Sequence, residues 1–133
     1  MSMSKRWWRQ AAITVALVSA ACGSNPIGPS NQPQIANVTD NFQFQASNLT
    51  GATQTLTYTW PNSGASASID VSGQITSGDA TLVLRDGSGA QVHTTSLKTT
   101  GSFASAAGTP GNWRIDLQLS NTRGTLNFRV QKR

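Results

Sequence analysis

The sequence contains no Glu, a single Cys, a single His and a single Tyr, and only 11% of its 133 residues are charged. One cysteine cannot form a disulfide within the chain or build a thiolate metal site. One histidine without any glutamate offers little material for acid–base catalysis. Helical bundles draw on Glu, Lys, Leu and Ala, so this composition also disfavours them.

The formal net charge of +5 does not indicate a nucleic-acid ligand. Three of the ten basic residues lie within the first nine positions. After residue 21, seven basic residues stand against five Asp, which leaves a net charge of +2. Apart from the C-terminal tail these side chains are scattered, whereas phosphate binding needs a patch or stripe of Lys and Arg. We therefore expect no nucleic-acid partner.

The first 22 residues have the layout of a bacterial export signal. Lys5, Arg6 and Arg9 precede an apolar run of 11 residues (11–21), and small residues lead into Cys22. The run is too short to span a bilayer core, which takes about 20 apolar residues. Residues 19–22, SAAC, resemble a bacterial lipobox. The resemblance implies cleavage before Cys22 and lipid attachment to its thiol; the alternative is an ordinary cleaved signal followed by a free cysteine.

The export signal divides the chain into three parts. We predict a signal helix over residues 1–21, a lipidated Cys22 with a flexible tether over residues 22–41, and one domain over residues 42–133. The tether prediction rests on the Pro, Gly, Ser, Asn and Gln in that segment, which leave little to bury. Gly23 follows Cys22 where an Asp often marks inner-membrane retention. The resemblance thus implies a cell-envelope protein anchored to the outer membrane, facing the periplasm or the surface.

From Phe42 onward, apolar and polar residues alternate with a period of two, which is typical of half-buried strands. Turn residues such as Asp86-Gly87-Ser88-Gly89 separate the runs, and residues 121–124 predict a hairpin between the last two strands. The pattern predicts an all-β fold, a single antiparallel β-sandwich of about seven to eight strands with a jelly-roll-like arrangement. The predicted strands are residues 42–46, 56–60, 67–71, 81–85, 91–96, 113–119 and 126–130.

The end of the chain carries a second resemblance. Residues 111–117, GNWRIDL, and residues 124–130, GTLNFRV, resemble the C-terminal end of small accessory β-sandwich domains in secreted proteins. Pre-peptidase C-terminal domains and proprotein-convertase P domains share a similar pattern, and the strand at residues 79–86 fits it too. The similarity covers about residues 56–130. It implies a non-catalytic module.

No catalytic or metal-binding group stands out. His93 lies in a Thr-rich strand without an acidic neighbour, so an ordinary strand residue is favoured over a general base. No G-x-S-x-G elbow occurs, and only a triad assembled in space would make a hydrolase. Asp40, Asp79 and Asp86 lie beside loops and could bind calcium, but capping of turns is the simpler role. We expect no catalytic residue, no metal and no cofactor.

The remaining candidates are aromatic. Tyr58, Trp60 and Trp113 could form a platform for sugar rings, although their strand phases favour core burial. Trp60, beside Pro61 at a strand end, is the strongest exception, and Tyr58 is the second candidate ligand residue. The Thr residues at 53, 55, 57 and 59 form one face of a strand, which predicts a solvated β-branched face.

These observations predict a lipid-anchored cell-envelope protein whose non-catalytic β-sandwich binds or scaffolds a partner. The membrane is one expected partner, through the N-terminal lipid, and a protein or glycan of the envelope is another. The alternative function is a carbohydrate-binding module at the cell surface that uses Trp60 or Tyr58. A hydrolase is the least favoured function.

Overall fold

Antiparallel strands form almost all of the chain that the structure describes. The structure is a computed structural model, and it describes residues 25–133. Residues Pro29–Asn31 form a short 3-10 helix, and seven strands follow. They are β1 (Gln34–Val38), β2 (Asn41–Asn62), β3 (Ala67–Val71), β4 (Gln74–Arg85), β5 (Gln91–Ser96), β6 (Gly101–Ala104) and β7 (Gly111–Lys132).

Two of these strands are 22 residues long and cross the whole domain. β2 and β7 pair antiparallel from Asn41 and Gln131 to Asn62 and Gly111. Each contains two of the predicted alternating runs, one on either side of a bend. Both runs alternate because each half of the strand has one face toward the core. The bend coincides with register shifts between Ala46 and Gln54 on β2. Bulges of this kind bend a strand and increase its twist.

The predicted hairpin at residues 121–124 is wrong. β7 runs through this segment, and Leu49, Thr50 and Ala52 of β2 pair with residues 124, 123 and 122. Asn121 and Gly124 have positive φ angles of 49° and 117°. The Asn and Gly that suggested a turn instead supply the left-handed backbone that a sharp bend requires.

The bend divides the strands into two sheets with jelly-roll topology. The first sheet has the order β1, the first half of β2, the second half of β7, β3 and β6. The second sheet has the order second half of β2, first half of β7, β4 and β5. β2 and β7 each belong to both sheets and connect them at the bend. The predicted all-β sandwich and its jelly-roll-like character are confirmed.

Aromatic side chains join the two sheets across the core. Tyr58 of the second sheet lies with its ring centroid 5.2 Å from Phe42 and 6.2 Å from Phe44, both of the first sheet. Trp60 and Trp113 pair edge to face at 6.0 Å, and neither side chain is exposed to solvent. Further fully buried residues include Phe128, Ile69, Leu82, Leu84, Ile115, Leu117, Leu126 and Val130.

The domain begins before residue 42, so the predicted flexible tether over residues 22–41 is wrong in the part that the structure describes. Asn25 forms a bridge with Thr53, and β1 pairs with β2 along its length. The Asn31 amide donates to the carbonyls of Ser47 and Asn48, each at 3.0 Å. Composition missed this segment because hydrogen bonds rather than apolar burial hold it; all five residues of β1 are exposed.

The predicted signal peptide, the lipobox and Cys22 lie outside the described residues. In residues 25–133 no helix has the length and hydropathy needed to span a membrane.

Candidate functional site

The outer face of the second sheet is a polar surface without an aromatic side chain. Directly paired residues of antiparallel strands place their side chains on the same side of a sheet. The inward positions of this sheet hold buried residues such as Leu82, Leu84, Ile115 and Leu117, so their strand neighbours face outward. We call this surface the polar face. Its rows are Thr55, Gln118, Thr81 and Ser96; Thr57, Asp116, Val83 and Thr94; and Thr59, Arg114, Arg85 and Gln91.

Asp116 is the buried centre of the polar face, with 5% of its surface exposed. Its Oδ1 accepts a hydrogen bond from the Thr57 hydroxyl at 2.9 Å. Its Oδ2 accepts from Arg114 Nε at 3.1 Å and Nη2 at 3.0 Å, and Arg85 Nε lies 3.9 Å away. One carboxylate on β7 is therefore shared by side chains from the strands on either side and by a neighbour on its own strand.

Arg85 and Arg114 are direct partners on adjacent strands. Their side chains are 35% and 53% exposed, whereas the Asp116 side chain between them is 8% exposed. Like charges directly opposite each other destabilise a sheet, and one carboxylate neutralises only one of the two. Arg85 Nε is also buried and has no hydrogen-bond partner among residues 25–133. The polar face thus holds two guanidinium groups close together around a single buried anion.

An open cleft of about 620 Å³ lies at this end of the polar face. Arg85, Arg114, Thr59 and Asn112 line it together with the loop of residues 86–89. The side chains reach the cleft from strands, which hold them more rigidly than loops would. The cleft therefore presents donors and acceptors in a fixed arrangement that a polar ligand could meet.

Asp86 fixes the loop that forms the other wall of the cleft. Its Oδ1 accepts hydrogen bonds from the Ser88 hydroxyl (2.7 Å) and from the amides of Ser88 and Ala90 (2.9 Å each). Its Oδ2 accepts from the Thr109 amide at 2.8 Å. These bonds, led by the Ser88 hydroxyl, lower the pKa of Asp86 to about 2. Asp86 therefore caps the turn, the simpler of the two roles that the sequence left open.

The other loop aspartates bind side chains nearby. Asp40 accepts from the Ser63 amide at 2.7 Å and the Ser63 hydroxyl at 2.8 Å. The Ser63 amide is the main reason that the pKa of Asp40 is lowered. Asp79 lies 4.0 Å from the Lys98 ammonium. Within residues 25–133, no three His, Cys, Asp or Glu side chains come together in a group that could hold a metal ion.

Trp60 does not offer a ligand surface, so its prediction as a binding residue is wrong. The side chain is fully buried, and its Nε1 donates to the Val38 carbonyl at 3.2 Å. The edge strand β1, which the sequence assigned to the tether, supplies that carbonyl. Tyr58 also points into the core rather than the polar face, and burial raises the pKa of its phenol. The aromatic platform is absent from the described surface.

His93 lies on β5 at the margin of the core, 6.2 Å from the Phe103 ring. Its Nε2 is buried and has no hydrogen-bond partner in the described part of the chain, and burial lowers the pKa of the imidazole. A general base needs a positioned partner, and this side chain has none at that nitrogen. The row of threonines at 53, 55, 57 and 59 is exposed, as predicted.

Four residues of the site were not predicted from the sequence: Arg85, Arg114, Asp116 and Asn112. Arg114 and Asp116 occupy the outward phase of a strand that the alternation did predict. That phase could have indicated a charged pair on one face. No pattern in the sequence indicates that Arg85, 29 positions earlier, pairs with Arg114 across the sheet.

The fold and the polar face define this chain as a jelly-roll β-sandwich with an open polar cleft. No family model and no curated protein matches it. Among solved structures it is similar to carbohydrate-binding module CBM6cm-2 from Cellvibrio mixtus lichenase 5A, in complex with cellotriose. The TM-score is 0.42 at 16% identity, over 76% of this chain and 87% of that one.

Two further structures show the range of proteins with a similar shape. One is the CBM36-1 domain of a xylanase from the hindgut metagenome of Trinervitermes trinervoides, with a TM-score of 0.42 at 14% identity over 75% and 86% of the two chains. The other is from accessory secretory proteins 1, 2 and 3 of Streptococcus pneumoniae, with a TM-score of 0.38 at 12% identity over 84% and 90%. Similarity at this level assigns no function to the chain.

Proposed function

We propose that this chain is a non-catalytic binding module that recognises a carbohydrate through the polar face and its cleft. The observation that carries the proposal is the composition of that face. Hydroxyl, amide and guanidinium groups project side by side from four neighbouring strands, next to an open cleft of about 620 Å³. A ligand with many hydroxyl groups matches such a surface, because each hydroxyl can donate and accept.

Preorganisation supports the same proposal. In the absence of a ligand, Asp116 already accepts a hydrogen bond from Thr57, and Asp86 already accepts hydrogen bonds from the loop amides. Groups that are already ordered lose less conformational entropy when a ligand binds. The carbohydrate alternative is therefore retained, with Arg85, Arg114 and Asn112 in place of the buried Trp60 and the half-buried, core-facing Tyr58.

We propose further that a lipid on Cys22 displays this module in the cell envelope. Asn25, three residues after Cys22, is bonded to Thr53 at the bend of β2. The cleft lies beside Thr59, six residues and about 20 Å further along the same strand. Three residues reach at most about 11 Å, so the bend would lie near the membrane and the cleft at the far end of the strand.

Glycan-array screening followed by calorimetry tests the binding proposal, with the full chain kept soluble by Cys22→Ser. We expect binding of at least one glycan. Gln118→Ala and Asn112→Ala should each weaken it about 2- to 10-fold, since a net hydrogen bond contributes about 0.5–1.5 kcal/mol. Gln43→Ala, an exposed amide on the first sheet, is the matched control and should have no effect. No binding at millimolar glycan, or equal loss with the control, contradicts the proposal.

Mass spectrometry of the mature protein tests the anchor. We expect a chain that begins at Cys22 and carries acyl groups, and we expect Cys22→Ser to release the protein from membranes. Two or more acyl chains would anchor it stably, whereas one would bind only marginally. A mature chain that retains Met1 contradicts the anchoring proposal.

A further inference from the structure

In the cleft, two arginine side chains are exposed to solvent, whereas the neighbouring aspartates are buried. The Arg85 and Arg114 side chains are 35% and 53% exposed. The residues that carry the two nearby carboxylates, Asp86 and Asp116, are only 6% and 5% exposed. Both carboxylates accept hydrogen bonds from protein donors on each oxygen. A ligand that enters the cleft therefore meets guanidinium groups first.

The other ion pairs of the described residues match one cation to one carboxylate. Arg129 faces Asp70 at 3.4 Å, Lys132 faces Asp40 at 3.7 Å, and Lys98 faces Asp79 at 4.0 Å. Only Asp116, among the aspartates of residues 25–133, has two arginines within 4.0 Å. The pair on the polar face thus contains one more cation than its central anion can balance.

Both arginines keep donors for a ligand. Arg114 binds Asp116 through Nε and Nη2, and within residues 25–133 its Nη1 makes no hydrogen bond. Arg85 donates from Nη1 to the Gly89 carbonyl at 3.3 Å, and its Nη2 has no partner in the same residues. A carboxylate accepts from such donors through two oxygens, with bonds about twice as strong as neutral ones.

We propose that Arg85 and Arg114 bind the carboxylate of an acidic sugar, so that the ligand of the cleft is a uronic-acid-containing polysaccharide. This inference rests on the proposed carbohydrate function and names the substrate class of the same site. Among residues 25–133, Asp116 is the only carboxylate within 4.0 Å of either arginine, since Asp86 is bonded to its own loop. The ligand carboxylate supplies a second anion at that distance and relieves the repulsion between partners on adjacent strands. Thr59 and Asn112 line the same cleft. Their side chains can donate to and accept from the hydroxyl groups of that sugar.

The test compares an acidic oligosaccharide with its neutral counterpart. The full chain carrying Cys22→Ser is titrated with oligogalacturonate, with the same oligomer after carboxyl reduction, and with a sulfated neutral oligosaccharide. We expect oligogalacturonate to bind about tenfold or more tightly than the reduced oligomer. Raising the salt from about 0.05 to about 0.5 M should weaken it, since the arginines are partly exposed.

The variants test whether binding depends on Arg85 and Arg114 in particular or on positive charge in general. Arg85→Gln and Arg114→Gln should each weaken oligogalacturonate binding about tenfold. Arg129→Gln is the matched control, because Arg129 lies on the same strand as Arg114 and also faces one aspartate. This variant should bind oligogalacturonate with the affinity of the parent. Arg114→Gln leaves Asp116 buried with less compensation, so the double variant Arg114→Gln/Asp116→Asn keeps the comparison valid if the single variant unfolds.

The outcomes distinguish this inference from the function on which it rests. Equal affinity for the acidic and reduced oligomers overturns the carboxylate assignment and leaves the carbohydrate proposal standing. Binding of the sulfated oligosaccharide alone also overturns it. An equal loss of affinity with Arg129→Gln overturns the assignment to Arg85 and Arg114. Absence of binding to every glycan removes both proposals.

Discussion

Replacement of Trp60 tests whether this residue belongs to the core or forms a platform for a ligand. Its side chain is completely buried against Trp113, and its Nε1 donates to the Val38 carbonyl of β1 at 3.2 Å. Truncation of a buried Trp to Ala costs about 3–5 kcal/mol. A domain of this size has a total stability of about 5–15 kcal/mol, so Trp60→Ala would remove a large fraction of it. We therefore expect loss of stability rather than a specific loss of binding.

The individual contributions can be estimated from the geometry. Trp60→Phe keeps an aromatic ring but loses the bond to Val38, which should cost about 1 kcal/mol. Trp113→Ala should cost about 3–5 kcal/mol, since it is equally buried and its Nε1 donates to the Thr109 carbonyl at 2.8 Å. A double-mutant cycle on the two residues should show a coupling of about 0.5–1.5 kcal/mol from the edge-to-face pair.

The assay is urea and thermal unfolding, both followed by circular dichroism, because tryptophan fluorescence would change with the substitutions themselves. At about 4 °C per kcal/mol, Trp60→Ala should lower the Tm by about 12–20 °C. Trp60→Phe should fold and keep the affinity of the parent for any glycan it binds. An unchanged melt of Trp60→Ala together with lost binding would show that Trp60 is an exposed platform and that the core assignment is mistaken.

Three further predictions concern the turn, the histidine and the bend. The pKa of Asp86 is lowered to about 2, so its stabilising effect is complete above about pH 4 and declines as the pH falls toward 2; thermal melts should show a smaller acid loss for Asp86→Asn than for the parent. Burial lowers the pKa of His93, so an NMR titration of this single histidine should give a value below 6.5, and stability should fall as the pH drops through 6.5 in the parent but less in His93→Gln. Gly78 has a φ of 78°, and a Cβ there would collide with the Asn121 carbonyl, so Gly78→Ala should cost about 1–3 kcal/mol in urea unfolding, whereas Gly28→Ala, with open space around it, should change little.

The fold could be predicted because each strand carries its own pattern. Residues 42–46 and 113–119 alternate strictly, and the structure buries Phe42, Phe44, Trp113 and Ile115. Alternation requires only that one face of a strand is covered, and any sandwich satisfies that condition. The pattern failed where hydrogen bonds replace apolar burial, as in β1, and where turn residues bend a strand instead of ending it.

The candidate site could not be predicted, because it depends on register and not on pattern. A shift of one residue would expose the core, so alternation excludes it. A shift of two residues keeps every side chain on its face and would pair Arg85 with Asp116 or Asn112 instead of Arg114. Only the actual register places the two arginines directly opposite each other.

That register runs unbroken from the bend to the cleft. The irregularities of the β4 and β7 pairing lie between Ile75 and Asp79, where Gly78 packs against the Asn121 carbonyl. From Asp79 to Arg85 the pairing then runs without interruption to the cleft. One register therefore holds over the about 20 Å from Asp79 to the arginine pair. The bend glycines and the arginine pair are parts of one arrangement, although no sequence pattern joins them.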